Sequence, residues 1–169
     1  LPKSVLTGGI QAIVGRRIAR LPAEGRPLLR LAAVAGRQLE LALLRKFEPR
    51  LEPWLYMAAD AAVLEVSGAS WRFAHDKIRE SLLGELIAAE REGLHLWIAR
   101  AMETMYAGSA AHAAALSEHY GRGGNPAKAA HYCVEAGVHA LGQGATDQAA
   151  ALLSQALTED SRPHLTGLA

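Results

Sequence analysis

Apolar residues recur at helical spacing from the start of the chain. Ile10, Ile13, Val14, Ile18 and Leu21 share one stripe, and Gln11, Arg16, Arg17 and Arg20 lie opposite it. The pattern predicts an amphipathic helix ending at Pro22. A second helix is expected over 23–35, packed through Leu28, Leu29, Leu31, Ala32 and Val34. Pro27 falls near its first turn, where a missing N–H costs little, and Gly36 supplies a left-handed stop. A short third helix over 40–46 is broken by Pro49, and a fourth over 53–61 turns Trp54, Leu55 and Met57 inward.

The period then changes. Val63, Glu65 and Ser67 alternate with Leu64 and Val66, and Trp71-Arg72-Phe73-Ala74 follows the small-residue stretch Ser67-Gly68-Ala69-Ser70. Two such runs predict a hairpin over 63–74, the one sheet this pattern supports. Helices followed by a lone hairpin is the element order of a winged-helix domain. Trp54, Trp71, Phe73 and Trp97 are expected in the core. Next, Ile78, Leu82 and Leu83 form a helical face that Gly84 interrupts. A long helix over 86–106 follows, with Ile87, Leu94, Trp97, Ile98, Ala101, Met102 and Met105 on its apolar side.

The last third repeats itself. Ala129, Cys133 and Ala136 have the spacing A-x3-C-x2-A, and Ala149, Leu153 and Ala156 reproduce it twenty residues later. Small residues at such positions are where neighbouring helices of a solenoid touch. Gly121–Asn125 and Gly142–Gly144 punctuate three helices near 110–120, 126–141 and 146–158, and the tail from Asp160 is expected to fray.

Composition agrees with stacked helices. Alanine makes up 34 of the 169 residues, whereas only 5% are aromatic. The net charge of +1 is no electrostatic footprint for nucleic acid. A single cysteine, Cys133, forms no internal disulfide and fits a reducing, cytoplasmic setting. Apolar runs fall far short of a membrane span, and the opening LPKSVLTGG lacks the apolar core of a signal peptide. Starting at Leu1, the chain reads as a piece of a longer protein.

Several residues invite chemistry. His75 and Asp76 sit where the hairpin meets a helix. A histidine there can donate a hydrogen bond to a phosphate oxygen and changes charge near neutral pH. The alternative is that Asp76 caps the helix and His75 is a buried structural residue. Arg37, Arg45, Lys46 and Arg50 gather around the third helix as a possible partner surface. Direct DNA binding is not expected, because that helix is leucine-rich and the Ser-Gly-Ala-Ser tip carries no base for a groove. His112 and His119 are seven apart, not the i,i+3 or i,i+4 of helical zinc pairs, and His131 and His139 point different ways along the next helix. No metal is expected. Cys133 falls between Ala129 and Ala136, a packing position and not that of a nucleophile.

Five stretches carry a family likeness: RLPAEGRPLLRLAAVAGRQLELALL, WRFAHDKIRESLL, LHLWIARAMET, LSEHYGRGGNPAKAAHYCVEAGVHAL and TDQAAALLSQAL, together spanning nearly all of 10–158. The series resembles the segment after the ATPase core in bacterial signal-transduction ATPases of the AP-ATPase/STAND class. These include large LuxR-type regulators, maltose-regulator-like activators, and ATPases fused to cyclases or kinases. The resemblance implies a mainly α chain divided into four parts. They are a linking helix from an upstream domain (1–21), a winged-helix-like domain (22–83), a connecting helix (84–107) and antiparallel tetratricopeptide-like repeats (108–169). It also implies that Ala74-His75-Asp76 stands where relatives carry a Met-His-Asp-type motif whose histidine contacts the β-phosphate of ADP. ATP or ADP with Mg2+ would be held by the upstream core in the same chain, because no G-x4-G-K-[ST] loop exists in these residues. The expected role is regulatory, with no catalytic centre or cofactor in this segment and a protein or small-molecule signal at the repeats. A stand-alone repeat scaffold is the alternative.

Overall fold

The computed structural model describes residues 3–160; the side chains of residues 3–8, 10, 159 and 160 and the tail 161–169 lie outside the described part. The expectations for Ile10 and for the fraying tail therefore fall outside it. The described chain is mainly helical with one small three-stranded antiparallel sheet. It divides into two compact units, residues 1–91 and 92–169.

The first unit opens with α1 (Lys3–Ala19) and a 3-10 turn (Ala23–Gly25). Val14, Ile18 and Leu21 are buried as expected, but Ile13 is exposed, so the buried stripe is narrower than the apolar one. Then come α2 (Arg26–Ala35), β1 (Gln38–Leu39), α3 (Leu41–Phe47), α4 (Leu51–Asp60), β2 (Leu64–Ser67), β3 (Ser70–Phe73) and α5 (Asp76–Glu85). Pro27 occupies the first turn of α2. Leu29, Leu31, Leu43, Leu44, Leu51, Leu64, Ile78 and Leu82 are almost wholly buried, so every helix from α2 to α5 feeds one core. Trp54 closes it from α4, its indole donating to the Gly25 carbonyl at 3.1 Å. A Cβ at Gly25 would lie 2.9 Å from that indole nitrogen, so the contact requires glycine.

The hairpin forms as expected, and the sheet gains a strand that the pattern did not predict. Two residues of β1 pair with β3, giving the order β1-β3-β2. Register explains the faces. Leu64 pairs with Phe73 and Val66 with Trp71 on one side; Glu65 pairs with Arg72 on the other, their side chains 2.7 Å apart. The Ser67–Ser70 turn has positive φ at Gly68 and not at Ala69, the pattern of a II′ turn.

Other local expectations meet the structure differently. Gly36 ends α2 at φ 159° and ψ −170°, extended backbone and not a left-handed stop, because the chain passes directly into β1. Met57 is exposed, because α4 buries Trp54, Leu55 and Ala58 on a face that Met57 does not share. The break expected at Gly84 falls one residue later, where α5 ends at Glu85; a Cβ at Gly84 would meet open space. The left-handed turn appears instead at Ala62 (φ 54°), just past α4, where the Val63 N–H bonds the Ala58 carbonyl at 2.9 Å.

Helix α6 (Ala88–Met105) runs through the division between the units. Its start is fixed by Glu90, whose carboxylate accepts the Ile87 N–H at 3.2 Å. Ile87 itself is exposed, contrary to expectation, because it stands before the helix and not on its packed face.

In the second unit, α7 (Ala113–Arg122), α8 (Pro126–Gly142) and α9 (Thr146–Asp160) follow, each pair joined by three residues. The two turns are equivalent at an offset of twenty. Gly124 and Gly144 have φ 72° and 77°; the N–H groups of Asn125 and Ala145 bond Tyr120 and Ala140, both at 2.9 Å. These are the left-handed caps that only glycine adopts cheaply. Ala129, Cys133, Ala136, Ala149 and Ala156 are buried, as their spacing implied. Small residues let α8 and α9 approach closely, and a Cβ on Gly137 would fall 2.8 Å from Leu153 Cγ.

Candidate functional site

His75 is the N-cap of α5. Its extended backbone (φ −152°, ψ 137°) follows from leaving β3, and its ring Nδ1 accepts the Lys77 N–H at 3.1 Å. The structural alternative for this pair does not hold. His75, not Asp76, caps the helix, and it is exposed, not buried. With Nδ1 accepting, the ring proton sits on Nε2. The ring therefore offers one N–H donor outward.

Asp76 faces Arg37 at 3.0 Å, which joins the end of α2 to the start of α5. Arg37, Arg72, Phe73, Ala74, His75 and Asp76 line a cleft of about 240 Å³. Arg72 is held there by Glu65 from the neighbouring strand. The cleft is thus lined by two arginines, each paired with a carboxylate (Arg37 with Asp76, Arg72 with Glu65), beside the histidine that caps α5.

The four bases grouped by sequence have different surroundings. Arg37 belongs to this cleft, whereas Arg45 pairs with Glu52 at 2.8 Å and holds that carboxyl below its ordinary range, chiefly by hydrogen bonding. At Arg50 it is the backbone N–H that bonds the Glu48 carboxylate, at 2.9 Å, while the Arg50 side chain and Lys46 on α3 are exposed. Sequence reasoning missed the Arg37–Asp76 pair because the two are far apart in the chain and meet only through the β1–β3 ladder.

Two polar clusters in the second unit also went unread. His95 on α6 and His119 on α7 are both buried, their Nδ1 atoms 2.9 Å apart. Burial, and secondarily the Arg122 charge, pushes His119 down to about 4. The signal was available: His95 continues the buried spacing of Ile98, Ala99 and Met102 on α6. The second cluster centres on Glu103, whose carboxylate accepts from Lys128, Tyr120 and Tyr132, each at 2.6 Å. Those bonds, Lys128 foremost, bring Glu103 down to about 2. All its acceptor capacity is used within the fold, so this cluster ties α6, α7 and α8 together.

The other described histidines have local partners. His112 stacks on Tyr106, His131 pairs with Glu135, and His139 meets Gln143. Among the described residues no three metal-ligating side chains come together, and no helix is long and apolar enough to cross a membrane. Comparison of the chain with protein-family models, curated proteins and solved structures gives no match.

Proposed function

We propose that the chain is a regulatory and interaction segment of a multidomain signal-transduction ATPase acting in transcriptional or second-messenger control. The first unit is winged-helix-like and senses a nucleotide held by an upstream ATPase core. The helical repeats of the second unit engage a protein or small-molecule signal. The observation that carries the reading is His75: it is exposed, its Nδ1 is tied to the Lys77 N–H, and its Nε2–H is left as an outward donor beside Arg37 and Arg72.

The order α2-β1-α3-α4-β2-β3 with sheet order β1-β3-β2 supports a winged-helix arrangement. DNA binding has less support. The helix in the groove-reading place is α4, and its exposed residues are Glu52, Pro53, Tyr56, Met57 and Asp60. Acidic and apolar side chains there repel or ignore phosphate. The twenty-residue equivalence of the turns before α8 and α9 supports tetratricopeptide-like repeats. Nucleotide contacts made in only one arrangement would shift the population toward it.

His75→Ala in the whole protein is expected to raise basal output by weakening the ADP-bound off state. Unchanged output and unchanged ADP retention would defeat the proposal. A stand-alone repeat scaffold is favoured instead if the gene encodes no phosphate-binding loop upstream.

A further inference from the structure

Val134, Val138 and Leu141 recur at helical spacing along α8, yet are 45%, 59% and 50% exposed. They lie away from the face of Ala129, Cys133 and Ala136 that packs inward. Val134 and Val138 line a groove of about 650 Å³ together with Gly108, Ala110, Glu135, His139 and Gln143, and Leu141 extends the stripe beyond it. This is an apolar stripe with polar edges, the form of a helix-docking groove.

We infer that this groove docks a basic amphipathic helix from a partner protein. The stripe spans about two helical turns, roughly 10 Å at 1.5 Å per residue. An α-helix presenting apolar residues at i, i+4 and i+7 meshes with that spacing. An extended peptide gains less, because the α8 backbone has its hydrogen bonds inside the helix and offers only side chains. Charge selects the sign of the partner. Residues 92–169 hold seven Asp and Glu against four Lys and Arg, whereas residues 1–91 hold ten against fourteen. The pairs Arg122–Glu118 and Lys128–Glu103 cancel one charge of each sign apiece and leave the acidic excess as it stands. Glu135 stands at the groove edge with His131 of the same helix 3.3 Å away. Lysines flanking a partner's apolar stripe complement this field. The inference deepens the interaction role proposed for the repeats and needs no part of the nucleotide reading.

The test uses the whole chain and a fluorescent 16-residue helical peptide with leucines at i, i+4 and i+7 and lysines on their flanks. A second peptide keeps the leucines and replaces lysine by glutamate. Anisotropy is expected to show the lysine peptide binding at least tenfold tighter. Val138→Asp should weaken it at least tenfold, and Glu135→Lys should narrow the preference between the two peptides. Both positions are on the surface, and circular dichroism checks that the fold is kept. Equal binding of the two peptides, or binding unaffected by Val138→Asp, overturns the inference. So does a chain that dimerises in sedimentation through this stripe and is made monomeric by Val138→Asp, since the occupant is then a second copy. Failure of the His75 experiment with success here would reject the nucleotide switch alone, and the converse holds equally.

Discussion

The buried imidazole pair makes the second unit sensitive to mild acid. His119 is held at about 4, against an ordinary value of 6.5, mainly because burial disfavours its charged form. The folded state therefore binds fewer protons than the unfolded chain across that interval. Its stabilising contribution is complete above pH 6.5, declines as pH falls toward 4, and changes no further below. At about 1.4 kcal/mol per unit the full effect is roughly 3 kcal/mol, of which about 2 kcal/mol is lost between pH 7.5 and 5. Carboxylates do not obscure this window. Glu103, held at about 2, starts to cost stability only below its ordinary 4.5. Geometry agrees with the sign: two facing Nδ1 atoms 2.9 Å apart share one proton, and a second would set donor against donor. Hydrogen exchange read on segments of α6, α7 and α8, after correction for intrinsic pH dependence, should show protection falling about thirtyfold from pH 7.5 to 5. His119→Gln should remove most of that slope, whatever its effect at pH 7.5. Equal slopes in the two proteins would refute the reasoning.

Other substitutions test separate parts of the structure. Ala62→Gly should stabilise the first unit by roughly 0.5–1 kcal/mol, because the left-handed strain relieved exceeds the added chain entropy; urea unfolding would show it. Gly84→Ala, with open space at its Cβ, should raise stability by about 0.5–1 kcal/mol in the same assay. In contrast, a Cβ at Gly123 would come within 2.8 Å of the Leu96 backbone nitrogen. Gly123→Ala should therefore cost roughly 1–3 kcal/mol, visible as a lower melting temperature. Glu103→Gln should cost about 1–2 kcal/mol at pH 7, discounted for partial exposure, and the difference from the parent should shrink as pH falls from 4.5 toward 2.

The legible parts of this fold are those set by local chemistry. Pro126 after Asn125, the glycines at 124 and 144, and the buried A-x3-C-x2-A spacing each imply their structure within a few residues. The hairpin was legible for the same reason, since alternation and a Gly-containing turn are both local. Strand β1 was not: two residues show no period, and Gln38–Leu39 becomes a strand only because β3 offers an open edge. Stripe width misled at Ile13 and Met57, because apolar spacing marks what can be buried, and tertiary contacts decide what is. At the candidate site, His75 and Asp76 were found from their place between strand and helix. Arg37 was placed on a basic surface, and its pairing with Asp76 required the sheet to bring the end of α2 beside α5.

The most direct test of the account uses His75→Asn in the whole protein. Asparagine is a strong N-cap and keeps the acceptor for the Lys77 N–H, but it lacks the outward Nε2–H. Losing one charge-assisted hydrogen bond, about 1.5–3 kcal/mol, should speed ADP release roughly 10- to 100-fold while the melting temperature without nucleotide stays unchanged. ADP release at the parent rate, with the cap intact, would contradict a nucleotide-sensing role for this residue.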